Sequence, residues 1–126
     1  HKPEDSGHAL CGPIAVRGAK AGQALAIHFN RIVPGEWGWS FPWFGTPIEE
    51  KESLPVVIWQ LDAKTMTGRN QHGHTIALEP FCGVIGMPAD VDGLQVTTPP
   101  RINGGNLDCK ALTAGTTLYL PVAVDG

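Results

Sequence analysis

The sequence predicts an all-β fold, and three observations carry that expectation. Apolar residues alternate with a period of two in several short runs, no stretch keeps a helical period over ten residues, and 16 glycines and 11 prolines punctuate the chain. A period of two places successive side chains on opposite faces of a strand. Gly and Pro at this density, with no collagen period and no low-complexity tract, are the residues of tight turns. The architecture expected is a jelly-roll-like β-sandwich of two packed sheets, formed by residues 1–126 as one β-rich domain or as part of a larger fold.

IAVRG (14–18) and QALAIHFNRIV (23–33) read as two strands joined by the AKAG turn. In the second, Leu25, Ile27 and Phe29 share one face, and His28 lies on the other. VVIWQLDAKTM (56–66) is a third strand, bounded by Pro55 and Gly68. HTIALE and CGVIGM give two more, separated by Pro80 and Phe81, and TLYLPVAV (117–124) is the last. A strongly strand-like run at 117–124 needs neighbours on both sides to satisfy its backbone groups. With His1 rather than Met at the start and no closing element after this run, the chain reads as a piece of something larger.

An internal echo links two of these segments. AKAGQALAI (19–27) and LTAGTTLYL (112–120) share A-G-x-x-L-x-(I/L) at an offset of 93 residues. The glycine supplies a turn and the spaced Leu and Ile open a strand with one buried face. Common β-turn grammar and a true structural repeat both account for it. Two further segments read as long loops: PGEWGWSFPWFGTPIEEKES (34–53), with three of the four tryptophans, and PADVDGLQVTTPPRINGGN (88–106). Loops of this length in a small domain are either functional or disordered.

Composition excludes several function classes. The net charge of −3 lacks the basic footprint of a nucleic-acid binder, and no run reaches the roughly 20 apolar residues of a membrane-spanning helix. No secretory leader is visible. Cys11, Cys82 and Cys109 are odd in number and widely spaced, which fits free thiols in a reducing, cytoplasmic setting better than a disulfide framework. There is no phosphate-binding loop, no dinucleotide fingerprint and no local signature of an activated cysteine.

The chemistry-bearing residues cluster late in the chain. Gly104 and Gly105 run straight into Asn106 and Asp108, a double glycine that permits close approach of a ligand followed by an amide and a carboxylate. In an extended segment positions 106 and 108 point the same way, and such an oxygen pair suits a hard or borderline cation. The competing role for Asp108 is an N-cap on a single turn over 109–113, ended by Gly115. His72 and His74, two apart, can share a strand face toward zinc or simply form the polar turn QHGH. Trp37, Trp39, Phe41, Trp43 and Phe44 can wall a small pocket, stack a sugar, or pack in a core or subunit interface.

GPIAVRGAKAG, PFCGVIGM and above all PPRINGGNLDCKALTAGTTLYLPVAVDG resemble the acetamidase/formamidase family, from about His8 to the last residue. The resemblance implies hydrolysis of short amides to a carboxylic acid and ammonia, a bound divalent metal (zinc or calcium) and a jelly-roll-like β-sandwich with further elements. Carried over residue by residue, it implies Asn106 and Asp108 as catalytic residues and metal ligands, with His8 beside the substrate. Gly104, Gly105 and Trp37 are the further substrate contacts expected. The family continues into a G-D-x-H-A-x-x-G-D-G-E block that would add a histidine and an acid, whereas this chain stops at Gly126. The tryptophan-rich stretch 36–44 is the least family-like part. The partners expected are therefore a small amide and the remainder of the enzyme or a second chain, in a homo-oligomer, with neither nucleic acid nor membrane. The rival expectation is a non-catalytic β-sandwich binding module that uses the tryptophan loop.

Overall fold

The computed structural model describes residues 8, 10–40 and 56–126. Phe41, Trp43 and Phe44 lie outside the described residues. The fold is all-β and sandwich-like, with every pairing antiparallel and no helix among the described residues. The strands are β1 (Ala24–His28), β2 (Trp37–Ser40), β3 (Val57–Asp62), β4 (Thr67–Asn70), β5 (Thr75–Ala77), β6 (Val84–Gly86), β7 (Gly104–Asn106) and β8 (Thr117–Pro121). The chain divides into two compact units, His1–Ile32 with Phe81–Gly126, and Val33–Pro80.

The first unit is organised by β1 on β8, with Leu25 opposite Leu120 and Ile27 opposite Leu118. These are the two echoing segments, and they meet as a local two-fold. The Gly22 N–H donates to the Val122 carbonyl (2.9 Å), and 93 residues on the Gly115 N–H donates to the Phe29 carbonyl (2.7 Å). Val122 N–H to Gln23 carbonyl and Phe29 N–H to Thr116 carbonyl are the next such pair, at 2.8 and 3.0 Å. The turns before them are closed by corresponding bonds, Ala19 N–H to Val16 carbonyl and Leu112 N–H to Cys109 carbonyl, both 3.0 Å.

Backbone angles extend the match upstream. Gly22 and Gly115 have φ of 87° and 89°, and Gly12 and Gly105 have 130° and 127°. Only glycine takes such values without strain. Residues 12–29 and 105–122 are thus one structural unit used twice, and the echo is a true repeat. Its apolar positions make the core of this unit, where Ala19, Leu112, Leu120 and Val122 are buried.

A second two-stranded sheet pairs β6 with β7, Ile85 opposite Gly105 and Gly86 opposite Gly104. Here the double glycine has a packing role. A Cβ on Gly104 would collide with the Ile85 carbonyl and lie 2.6 Å from Gly86 Cα, and one on Gly105 would lie 2.9 Å from the Thr97 carbonyl. The close approach these glycines permit is backbone on backbone.

The second unit is a four-stranded meander in the order β2-β3-β4-β5. Leu61 packs over Gly68, whose missing side chain leaves room for Leu61, Ile76 and Leu78. Asp62 closes the β3–β4 turn by accepting the Lys64 N–H (2.7 Å) and the Thr65 N–H (3.3 Å), which holds its carboxyl below the ordinary value.

Several elements differ from expectation. Residues 14–18 form no strand, because Val16 and Ala19 close a turn at Arg17–Gly18 instead. Part of the expected loop 34–53 is β2, and β7 closes the expected loop 88–106. The last strand ends at Pro121, and among the described residues β8 pairs on one side only, with β1. Proline lacks a donor, and a sheet edge is where that lack is tolerated.

Gly104→Ala should lower stability by about 3 kcal/mol or more, since rigid backbone cannot yield to the new methyl group. Gly35→Ala, with nothing within 4 Å of its Cβ position, should be neutral. Urea denaturation of both variants checks this, and equal effects would contradict the packing role of Gly104.

Candidate functional site

β7 leads directly into Asn106 and Asp108, the pair that the sequence singles out. The Asn106 N–H donates to the Thr97 carbonyl (2.8 Å), which anchors the strand end to the loop before it. The Leu107 and Asp108 N–H groups then both donate to the Gly83 carbonyl, at 2.9 and 3.1 Å. That shared acceptor bends the chain sharply, and Asp108 adopts φ of 46°. A left-handed conformation costs a non-glycine residue about 1–2 kcal/mol, least for Asn and Asp. Such outliers persist only where the surroundings hold them.

The bend ends the extended segment, yet the two side chains still meet. The Asn106 Nδ2 donates to Asp108 Oδ2 at 3.3 Å, which leaves the amide oxygen and the other carboxylate oxygen outside that bond. Asp108 is exposed and Asn106 half-buried. The Asp108 carboxylate also lies over Gly83, where a Cβ would stand 3.6 Å from Oδ1. No backbone N–H donates to the Asp108 carboxylate among the described residues, so the N-cap role is not realised. Residues 109–112 make a turn, closed by the Leu112 N–H on the Cys109 carbonyl.

His8 joins this neighbourhood through Thr97. Its Nδ1 lies 2.7 Å from the Thr97 hydroxyl, on the residue whose carbonyl receives the Asn106 N–H. Thr97 is the member that sequence reasoning missed, because a threonine in TTPPR carries no signal beyond loop grammar. Gly104 and Gly105 lie beneath the pair, both buried, with their open space filled by neighbouring backbone.

Trp37 belongs to the second unit. It lies on β2, 64% exposed, and shares one sheet face with Trp39, Gln60 and Arg69. His72 and His74 are in the turn after β4 rather than on a strand. Both backbone N–H groups donate to the side-chain oxygen of buried Asn70, and the His74 ring bonds its amide nitrogen. The polar-turn alternative therefore describes them. His28 bonds the Thr117 hydroxyl across the β1–β8 pair (2.8 Å). Cys11, Cys82 and Cys109 are free. Among the described residues no three His, Cys, Asp or Glu side chains come together as a metal site, and no helix is long and apolar enough to cross a membrane.

No family model matches the chain, and no solved structure matches it. Among curated proteins it is similar to an acetamidase of Mycolicibacterium smegmatis, 42% identical over 59 residues. The match takes in 40% of this chain and 14% of that protein's length.

The left-handed backbone at Asp108 predicts an unusual order of variants. Asp108→Gly and Asp108→Asn should change stability by less than about 0.5 kcal/mol, while Asp108→Ala should lose about 1 kcal/mol. Chemical denaturation measures all three, and a glycine variant weaker than the alanine variant would contradict the strain at this residue.

Proposed function

We propose that this chain carries part of the active site of a hydrolase that cleaves small amides, of the formamide or acetamide kind, to a carboxylic acid and ammonia. The observation that carries the reading is the paired amide and carboxylate of Asn106 and Asp108, in the block that most resembles the amidase family. The similarity to an acetamidase supports it. The repeat supports it further. The first copy holds Pro13 and Ala15 where the second holds Asn106 and Asp108, so the shared scaffold needs neither polar side chain.

An amide resists water because its carbonyl is a weak electrophile and its nitrogen a poor leaving group. Asp108 is placed to act on both obstacles as a general base and then an acid. Its carboxylate takes a proton from water as the water oxygen adds to the carbonyl carbon. The same proton passes to the amide nitrogen, the C–N bond breaks, and ammonia leaves with the carboxylic acid as co-product. The Asn106 side chain orients Asp108 through the 3.3 Å bond and offers its own oxygen to the substrate N–H. His8, steadied by Thr97, can donate toward the carbonyl oxygen.

A divalent cation, zinc or calcium, belongs to the same reading. Asp108 and Asn106 supply only part of a coordination shell, so no step above runs through a metal. A further acid and histidine would come from more of the polypeptide or from a second chain in an oligomer. The three free thiols favour a reducing, cytoplasmic setting.

In the full-length enzyme, Asp108→Asn should reduce ammonia release from formamide and acetamide to less than about a tenth, a loss of over roughly 1.4 kcal/mol of transition-state stabilisation. Bound metal, measured in the same preparation, should fall with it. Retention of wild-type turnover would refute the assignment of Asp108.

A further inference from the structure

The two copies of the repeat differ in what covers them. In the second copy, the segment that becomes β6 lies along residues 104–112. The Gly83 carbonyl receives the Leu107 and Asp108 N–H groups, and the Cys82 N–H donates to the Leu112 carbonyl. In the first copy, the positions corresponding to Leu107 and Asp108 are Ile14 and Ala15. Among the described residues no acceptor faces either N–H, and Ile14 is 83% exposed whereas Leu107 is half-buried.

One contact of the missing set is already in place. The Gly126 N–H donates to the Ala19 carbonyl (3.3 Å), as the Cys82 N–H does to the Leu112 carbonyl. Asp125 fixes that end. It accepts the Ala21 N–H (2.9 Å) and pairs with Lys20 Nζ (2.8 Å), which holds its carboxyl below the ordinary value. A groove of about 620 Å³ opens here between Ala15, Arg17, Lys20 and Asp125.

The local chemistry suits a strand. The Asn106 N–H turns away from β6 to Thr97, so the corresponding Pro13 loses nothing that an incoming strand would use. Gly12, like Gly105, has a positive φ, so the backbone follows the same course in both copies at this point. We propose that residues 11–15 accept an antiparallel β-strand of alternating apolar residues, entering in cis from Gly126 as residues 83–86 enter from Cys82. The occupant is peptide backbone with Val/Ile-type side chains. It would hydrogen-bond the Ile14 and Ala15 N–H groups and cover the Ile14 side chain. This strand site is independent of amide hydrolysis.

The test extends the chain at Gly126 with a copy of its own residues 83–88, GVIGMP, and follows amide hydrogen exchange by NMR. A control extension of equal length carries prolines at its second and fourth positions. Exchange at Ile14 and Ala15 should slow at least tenfold in the first protein and be unchanged in the second, with protection independent of protein concentration. Unchanged exchange in the GVIGMP protein, equal protection by the proline control, or protection that grows with concentration (a second copy in the groove) would each overturn the proposal.

Discussion

The backbone pairing of residues 22–29 with 115–122 is the constraint on which the first unit depends. It joins segments 93 residues apart, and its entropic cost is moderate because loop closure grows only with the logarithm of length. Four hydrogen bonds related by the local two-fold hold it at both ends. Leu120 and Val122 are buried as a result, and Leu112 is brought to where its carbonyl receives Cys82. Cys82 in turn leads into Gly83, the acceptor that bends the chain at Asp108. The position of the carboxylate thus follows from a strand pair several residues away.

In the function we propose, the repeat separates scaffold from chemistry. The glycine pairs Gly12/Gly105 and Gly22/Gly115, the turn closures and the apolar strand positions occur in both copies, whereas the amide and carboxylate occur in one. Ala15 serves the same stretch without positive φ, so the left-handed turn at Asp108 is a local departure from the shared plan. Strain at one residue of one copy, beside a paired amide, is consistent with the role we propose for Asp108. Elsewhere polar groups serve structure. Asn70 spends its side chain on the turn containing His72 and His74, and Asp62 spends its carboxylate on the β3–β4 turn.

Legibility in the sequence followed the strength of local patterns. β1, β3 and β8 alternate clearly and were found where expected, with ends shortened by turns. β4 (TGRN) and β7 (GGN) carry almost no apolar signal, since their glycines exist to let Leu61 and the β6 backbone approach. β2 was hidden by the Pro and Gly around its tryptophans. IAVRG misled because its apolar residues suit the strand period, while Gly18 at φ of 85° turns the chain there. Asn106 and Asp108 were legible as a pair. The bend that brings them together was not, because it depends on the carbonyl of Gly83, distant in sequence.

The central claim is that the repeat supplies the scaffold and that Asn106 and Asp108 supply chemistry. Ammonia release from acetamide by the Asn106→Ala/Asp108→Asn enzyme, measured on the sample whose Gly22 and Gly115 amide exchange is recorded, tests it most directly. The account predicts that turnover is lost while both amides keep wild-type protection. Persistent turnover, or loss of Gly115 protection together with turnover, would contradict it.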